Sequence, residues 1–106
     1  MSEVRVVLTT APDDAVARTL AHTLVDEGWV ACASLVPGVS SIYRWEGSVR
    51  TDAEILLVLK CSSDRLAGLQ DRLSELHPYE VPEFLALPVV AGLPAYLRWV
   101  VGEGGE

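Results

Sequence analysis

Apolar positions along the chain change period several times, and each change predicts an element. Val4-Arg5-Val6-Val7-Leu8-Thr9-Thr10 is rich in β-branched residues and predicts a first strand. Val16, Ala17, Leu20, Ala21 and Leu24 then follow a 3.6-residue stripe, which predicts an amphipathic helix. Pro12 suits its first turn, Asp13 and Asp14 complement the positive end of its dipole, and Gly28 stands where it should stop.

Trp29 to Val36 reads as a second strand, interrupted by a turn or bulge at Pro37-Gly38 and resuming from Val39 to Glu46. There Tyr43 and Trp45 share one face, while Ile42, Arg44 and Glu46 share the other. A turn at Gly47-Ser48 sends the chain back through Val49 to Cys61, so the two runs form one long hairpin. Ile55-Leu56-Leu57-Val58-Leu59 is apolar on both faces and needs cover on both. A second helix carries the stripe Leu66, Leu69, Leu73, Leu76, with Ser62 or Ser63 as its cap. Pro78 bars His77 from the α region and ends it, and Pro82 holds Val81 extended. Phe84 to Val90 reads as a last strand and Ala95 to Val101 as a short helix bearing Tyr96 and Trp99. Residues 102–106 have no apolar anchor and are expected to be a mobile tail.

The order β-α-β-β-α-β, with a short helix appended, is an α+β ferredoxin-like split βαβ arrangement, filling 1–106 as a single domain. A chain of 106 residues buries about two-thirds of its unfolded surface, yet half its residues are apolar. That surplus, the two-sided apolar strand and the over-long hairpin all imply cover by another subunit. Tyr43 and Trp45 would form an exposed aromatic patch in a monomer, so they are placed at the subunit interface.

The formal charge of -7 argues against a nucleic-acid partner, whose phosphates need a basic face. No apolar run is long enough for a membrane span, and Met1-Ser2-Glu3 leads into a strand without a basic leader, so a cytoplasmic protein is expected. In a reducing compartment Cys32 and Cys61 read as buried thiols rather than a disulfide.

No phosphate loop, paired-cysteine motif or nucleophile elbow is present, and no enzymatic activity is expected. His22 shares a helical face with Arg18 and Asp26 and reads as solvated. The densest chemistry is Leu76-His77-Pro78-Tyr79-Glu80-Val81-Pro82-Glu83. His77 closes a helix, where an imidazolium suits the dipole, and that role alone would explain it. The functional alternative is an imidazole with the Tyr79 phenol and Glu83 carboxylate beside it. Glu54 and Lys60, at the two ends of the apolar strand run, are expected to reach the sheet edge or an interface; Lys60 could neutralise an anionic ligand there, but solvated strand ends are the commoner outcome.

Several blocks resemble the CutA divalent-cation tolerance proteins: Thr10-Ala11-Pro12-Asp13, the run from Ala31 to Gly47, the strand ending in Lys60, and Leu76 to Glu83 with Ala86-Leu87-Pro88. Tyr96-Leu97-Arg98-Trp99 completes the match. The resemblance implies a tight trimer, similar to the PII signalling proteins, with hairpins reaching across subunits. It also implies binding of a divalent cation, Cu2+ or Zn2+, or of a small ligand in clefts between subunits. His77 and Glu83 are the candidate metal ligands, and Trp45, Lys60, Tyr79 and Glu83 the candidate cleft residues. Some bacterial members are proposed to hold copper with a first-strand cysteine and two adjacent histidines before Pro-Tyr. Here Thr9 and Leu76 stand at two of those positions. The alternative reading is a PII-like signalling or anchoring scaffold without a metal role. An enzyme using His77 as acid/base ranks behind both.

Overall fold

The computed structural model describes residues 3–103. Strand β1 (Val4–Ala11) leads to helix α1 (Asp14–Asp26), then β2 (Cys32–Trp45), β3 (Ser48–Ser62), α2 (Leu66–Leu76), β4 (Leu85–Pro88) and α3 (Pro94–Arg98). The strands form one sheet in the order β2-β3-β1-β4, with all neighbours antiparallel. β3 lies between β1 and β2, which is the split βαβ arrangement expected.

Asp13 caps α1: its carboxylate accepts the Val16 N–H at 2.8 Å. Pro12 therefore precedes the cap and is not part of the first turn. At the other end Gly28 takes φ 78 and donates to Val25 O, while the Trp29 N–H reaches Leu24 O. These two bonds satisfy carbonyls that the last turn leaves open. The Trp29 and Val30 N–H groups both point to Leu24 O, away from extended pairing, so β2 starts at Cys32, later than the apolar run suggested, with Ala31 N–H making the first bond to Lys60 O.

Neither serine caps α2 through a side-chain bond to the backbone. Ser63–Arg65 forms a 3-10 turn ahead of the helix. Ser62 Oγ instead donates to Asp64, and Ser63 Oγ accepts the Glu3 N–H at 2.9 Å. Both serines are thus drawn toward local and β1 partners. β4 is shorter than expected, four residues paired with Arg5 to Leu8. The last helix runs on through a π turn, Trp99–Glu103, so Gly102 and Glu103 belong to it; residues 104–106 of the expected tail lie outside the described residues.

The core fills the space between the helices and one sheet face. Leu20, Leu24, Leu69 and Leu73 pack on Val7, Ala11, Leu57 and Leu59. The other face is covered at its ends only: Val100 of the π turn meets Val4 and Ala31 at one, and Thr10 and Glu54 are buried at the other.

The hairpin is joined by Glu46-Gly47, both at positive φ (49 and 80), a turn whose twist matches paired strands. It falls one residue earlier than the Gly47-Ser48 turn expected, because Trp45 pairs with Ser48. Gly38, at φ 76, opens a bulge between the pairs Val36↔Leu56 and Val39↔Glu54. Two residues of β2 face one of β3 there, so side-chain parity in β2 switches. Before the bulge Cys32, Ser34 and Val36 share the open face with Lys60, Val58 and Leu56. After it Val39, Ser41, Tyr43 and Trp45 share that face, opposite Glu54, Asp52, Arg50 and Ser48.

Candidate functional site

α2 ends at Leu76, and His77 is extended (φ -77, ψ 137), as a residue before proline must be. The chain then turns over the end of β1. His77 is 7% exposed there, with Nε2 2.7 Å from Thr10 O and Nδ1 3.1 Å from the Tyr79 backbone nitrogen. A carbonyl only accepts and an amide N–H only donates, so Nε2 carries the proton, Nδ1 is the acceptor and the ring is neutral. The helix-closing role expected of His77 is present, but as a neutral strut and not as an imidazolium on the dipole.

The same bonds aim Tyr79. Its ring lies 4.7 Å from the imidazole, and its hydroxyl donates to Glu54 Oε2 at 2.8 Å. β1 stops at Ala11 opposite Ile55, so Glu54 is the first β3 residue past its end and is free to meet the connector. Burial, and then the Glu54 carboxylate, push the Tyr79 phenol well above the usual tyrosine range. One step toward the hairpin tip the motif repeats, with the Tyr43 hydroxyl donating to the Asp52 carboxylate. That bond also raises Tyr43. Two phenol–carboxylate pairs thus stand in succession on the open face of β3.

The sequence-predicted residues are only partly brought together. His77 and Tyr79 adjoin, and Glu83 is exposed further along the connector. Trp45 is 53% exposed at the hairpin tip, and Lys60 pairs with Cys32 at the opposite end of β3. Each is six residues from Glu54 along the hairpin register, or roughly 20 Å at strand rise, so one chain does not unite them with Tyr79. Glu54 is the member the sequence reading missed. It was expected at the sheet edge or an interface and read as a solvated strand end, yet it is 9% exposed within the single chain. The one available signal was an acidic residue heading a two-sided apolar run, and nothing in the sequence tied it to Tyr79.

Among the described residues no three His, Cys, Asp or Glu side chains converge as metal ligands. His77 in this geometry offers a cation neither nitrogen: one bears the proton, and the other's lone pair holds the Tyr79 N–H. Metal ligation by His77 would require that bond set to open.

Comparison with known proteins agrees along nearly the whole chain. Residues 5–103 match the family model described as CutA1 divalent ion tolerance protein. The divalent-cation tolerance protein CutA of Thermus thermophilus is 48% identical over 95 residues, 90% of this chain and 92% of that protein. The solved structure of the divalent cation tolerance protein from Thermus thermophilus superposes with a TM-score of 0.90 at 47% identity, covering 92% of this chain and 95% of that one. The human protein CutA is 41% identical over 91 residues, 86% of this chain but 51% of its own length, so this chain spans about half of it. Relatives named as periplasmic, from Archaeoglobus fulgidus, and chloroplastic, from Arabidopsis thaliana, show that the likeness extends across compartments. No helix among the described residues is long and apolar enough to cross a membrane. Fold and matched length agree, and the chain belongs to the CutA1 divalent ion tolerance protein family.

Proposed function

We propose that the protein works in divalent-cation tolerance as a cytoplasmic homotrimer, without enzymatic activity, binding a metal ion such as Cu2+ or Zn2+, or a small ligand, in clefts between subunits. The observation that carries this reading is the open sheet face. Val36, Leu85 and Leu87 are 42%, 55% and 46% exposed, and the π turn covers the face only as far as Val4 and Ala31. A soluble monomer seldom leaves a contiguous apolar sheet face in water. The protruding hairpin would carry Tyr43 and Trp45 to a neighbour, where Trp45 would meet the connector and its Tyr79 and Glu83. Glu54, held by Tyr79, joins that cleft as a buried carboxylate.

Sedimentation equilibrium tests the assembly: a mass of three chains is expected, and one chain from Leu87→Asp. A native mass of one chain would remove the cleft. Calorimetry with Cu(II) and Zn(II) tests the ligand, comparing native protein with Glu83→Gln and His77→Gln. Copper binds many nitrogen and oxygen sites tightly, so only a loss of stoichiometric heat in the Glu83 variant supports cleft ligation. A trimer whose metal heats are the same in all three proteins favours the scaffold reading, for which the commitment of both His77 nitrogens already speaks.

A further inference from the structure

We propose that Cys32 and Lys60 form an oxidisable pair in which peroxide links the thiol sulfur to the lysine nitrogen. This goes beyond the cation reading and requires no metal. The two residues are direct register partners on β2 and β3, on the open face of the sheet. Lys60 Nζ lies 3.6 Å from Cys32 Sγ and 2.9 Å from Ser34 Oγ. Among the described residues no carboxylate lies within ion-pair distance of Lys60. Its polar neighbours are thus a thiol and a hydroxyl, both held by the sheet.

The contrast with the second cysteine sharpens the assignment. Cys61 is 1% exposed on the core face, where burial pushes its thiol up to about 11. It is inert by the usual rule that the thiolate is the nucleophile. Cys32 is half-buried within the chain, and its sulfur stands 3.6 Å from the Lys60 nitrogen, so thiol and amine are held side by side.

The chemistry balances with a hydroperoxide as oxidant. Cys32 sulfur attacks one peroxide oxygen, the O–O bond breaks, and sulfenic acid and water form when hydrogen peroxide is used. Sulfur loses two electrons and peroxide gains them. Lys60 Nζ, as the free amine, then attacks the sulfur; an S–N bond forms, the S–O bond breaks, and the hydroxyl leaves as water with a proton from nitrogen. The net change is the loss of one hydrogen from sulfur and one from nitrogen. A flexible four-carbon stem lets Nζ close the remaining distance while the strands stay paired. The link removes the Lys60 positive charge and ties the edge strand β2 covalently to β3. A thiol reductant reverses it.

The test is intact-mass measurement and tryptic mapping of the native assembly after hydrogen peroxide. Expected are a mass lower by two hydrogens, loss of cleavage after Lys60, and one linked species containing Cys32 and Lys60 that dithiothreitol separates. Lys60→Arg keeps a cation but removes the primary amine, and should yield sulfenic or sulfinic acid at Cys32 with no link. The proposal is overturned if wild-type Cys32 proceeds to sulfinic acid while Lys60 is still cleaved, or if Cys32 is unmodified. It is equally overturned if Lys60→Arg loses the same two hydrogens. The wild-type map decides by itself, so the outcome does not depend on the variant folding.

Discussion

At the scale of single residues, Gly68 shows how one missing methyl fixes a helix pair. A Cβ built there would stand 2.3 Å from a Trp29 ring carbon, inside any real contact. Trp29 cannot swing freely, because its Nε1–H donates to Glu27, and Glu27 accepts two bonds from Arg72 at 2.7 Å. Gly68→Ala should therefore cost about 1–3 kcal/mol by overpacking, read as a lower denaturation midpoint at fixed protein concentration. An unchanged midpoint would mean that the ring yields. Tyr79→Phe leaves the buried Glu54 without its donor and should cost about 1–3 kcal/mol, measured the same way. It should also change the alkaline limb of stability. A tyrosine raised on folding contributes stability that is complete below the unfolded value near 10 and is lost as pH climbs from there. Wild type minus Tyr79→Phe should hence shrink above about pH 10, and a difference that grows with pH would contradict the bond. His77 and Tyr79 could be singled out in the sequence because proline spacing concentrates them. Their partners could not, since the Thr10 carbonyl and the Glu54 carboxylate meet them only through the end of β1.

At the scale of elements, strands and helices followed from period and punctuation, while their ends were decided by bonds that periodicity does not encode. The bonds from Gly28 to Val25 O and from Trp29 to Leu24 O moved the start of β2, and the pull of Glu3 and Asp64 on Ser63 and Ser62 put a 3-10 turn where a cap was expected. The hairpin turn offers a direct test. Glu46 holds φ 49, which costs an ordinary L-residue roughly 1–2 kcal/mol but suits asparagine, the preferred partner of glycine in this turn. Glu46→Asn should raise the denaturation midpoint by a stabilisation of about 1 kcal/mol. A neutral result would indicate that the tip conformation is relaxed in solution.

At the scale of the molecule, the hairpin governs shape. A compact chain of this length has a radius of gyration of about 13 Å, whereas this one has 14.3 Å and extends 45 Å in its longest direction. The excess length is strand without a layer beneath it, and Ile42, Trp45 and Val49 are 69%, 53% and 66% exposed along it. A protein stabilised by covering such surface should unfold at a midpoint that rises with protein concentration, as mass action requires of an oligomer. A concentration-independent midpoint would place its stability within one chain. The sequence disclosed the surplus of apolar surface but not its arrangement, because the bulge at Pro37-Gly38 decides which side of the distal hairpin each residue occupies. That bulge has an evolutionary corollary. Removing one residue there would make the ladder regular and leave every pair from Val39 to Trp45 in place, with Tyr43 still beside Asp52. Loss of two would set Val39 opposite Ile55 and exchange the two faces out to Trp45, carrying Tyr43 away from Asp52. Relatives of this chain that lack one residue at this point should therefore keep the pattern of their tips, and lineages short by two should carry rewritten tips in which the aromatic and aliphatic positions have traded places.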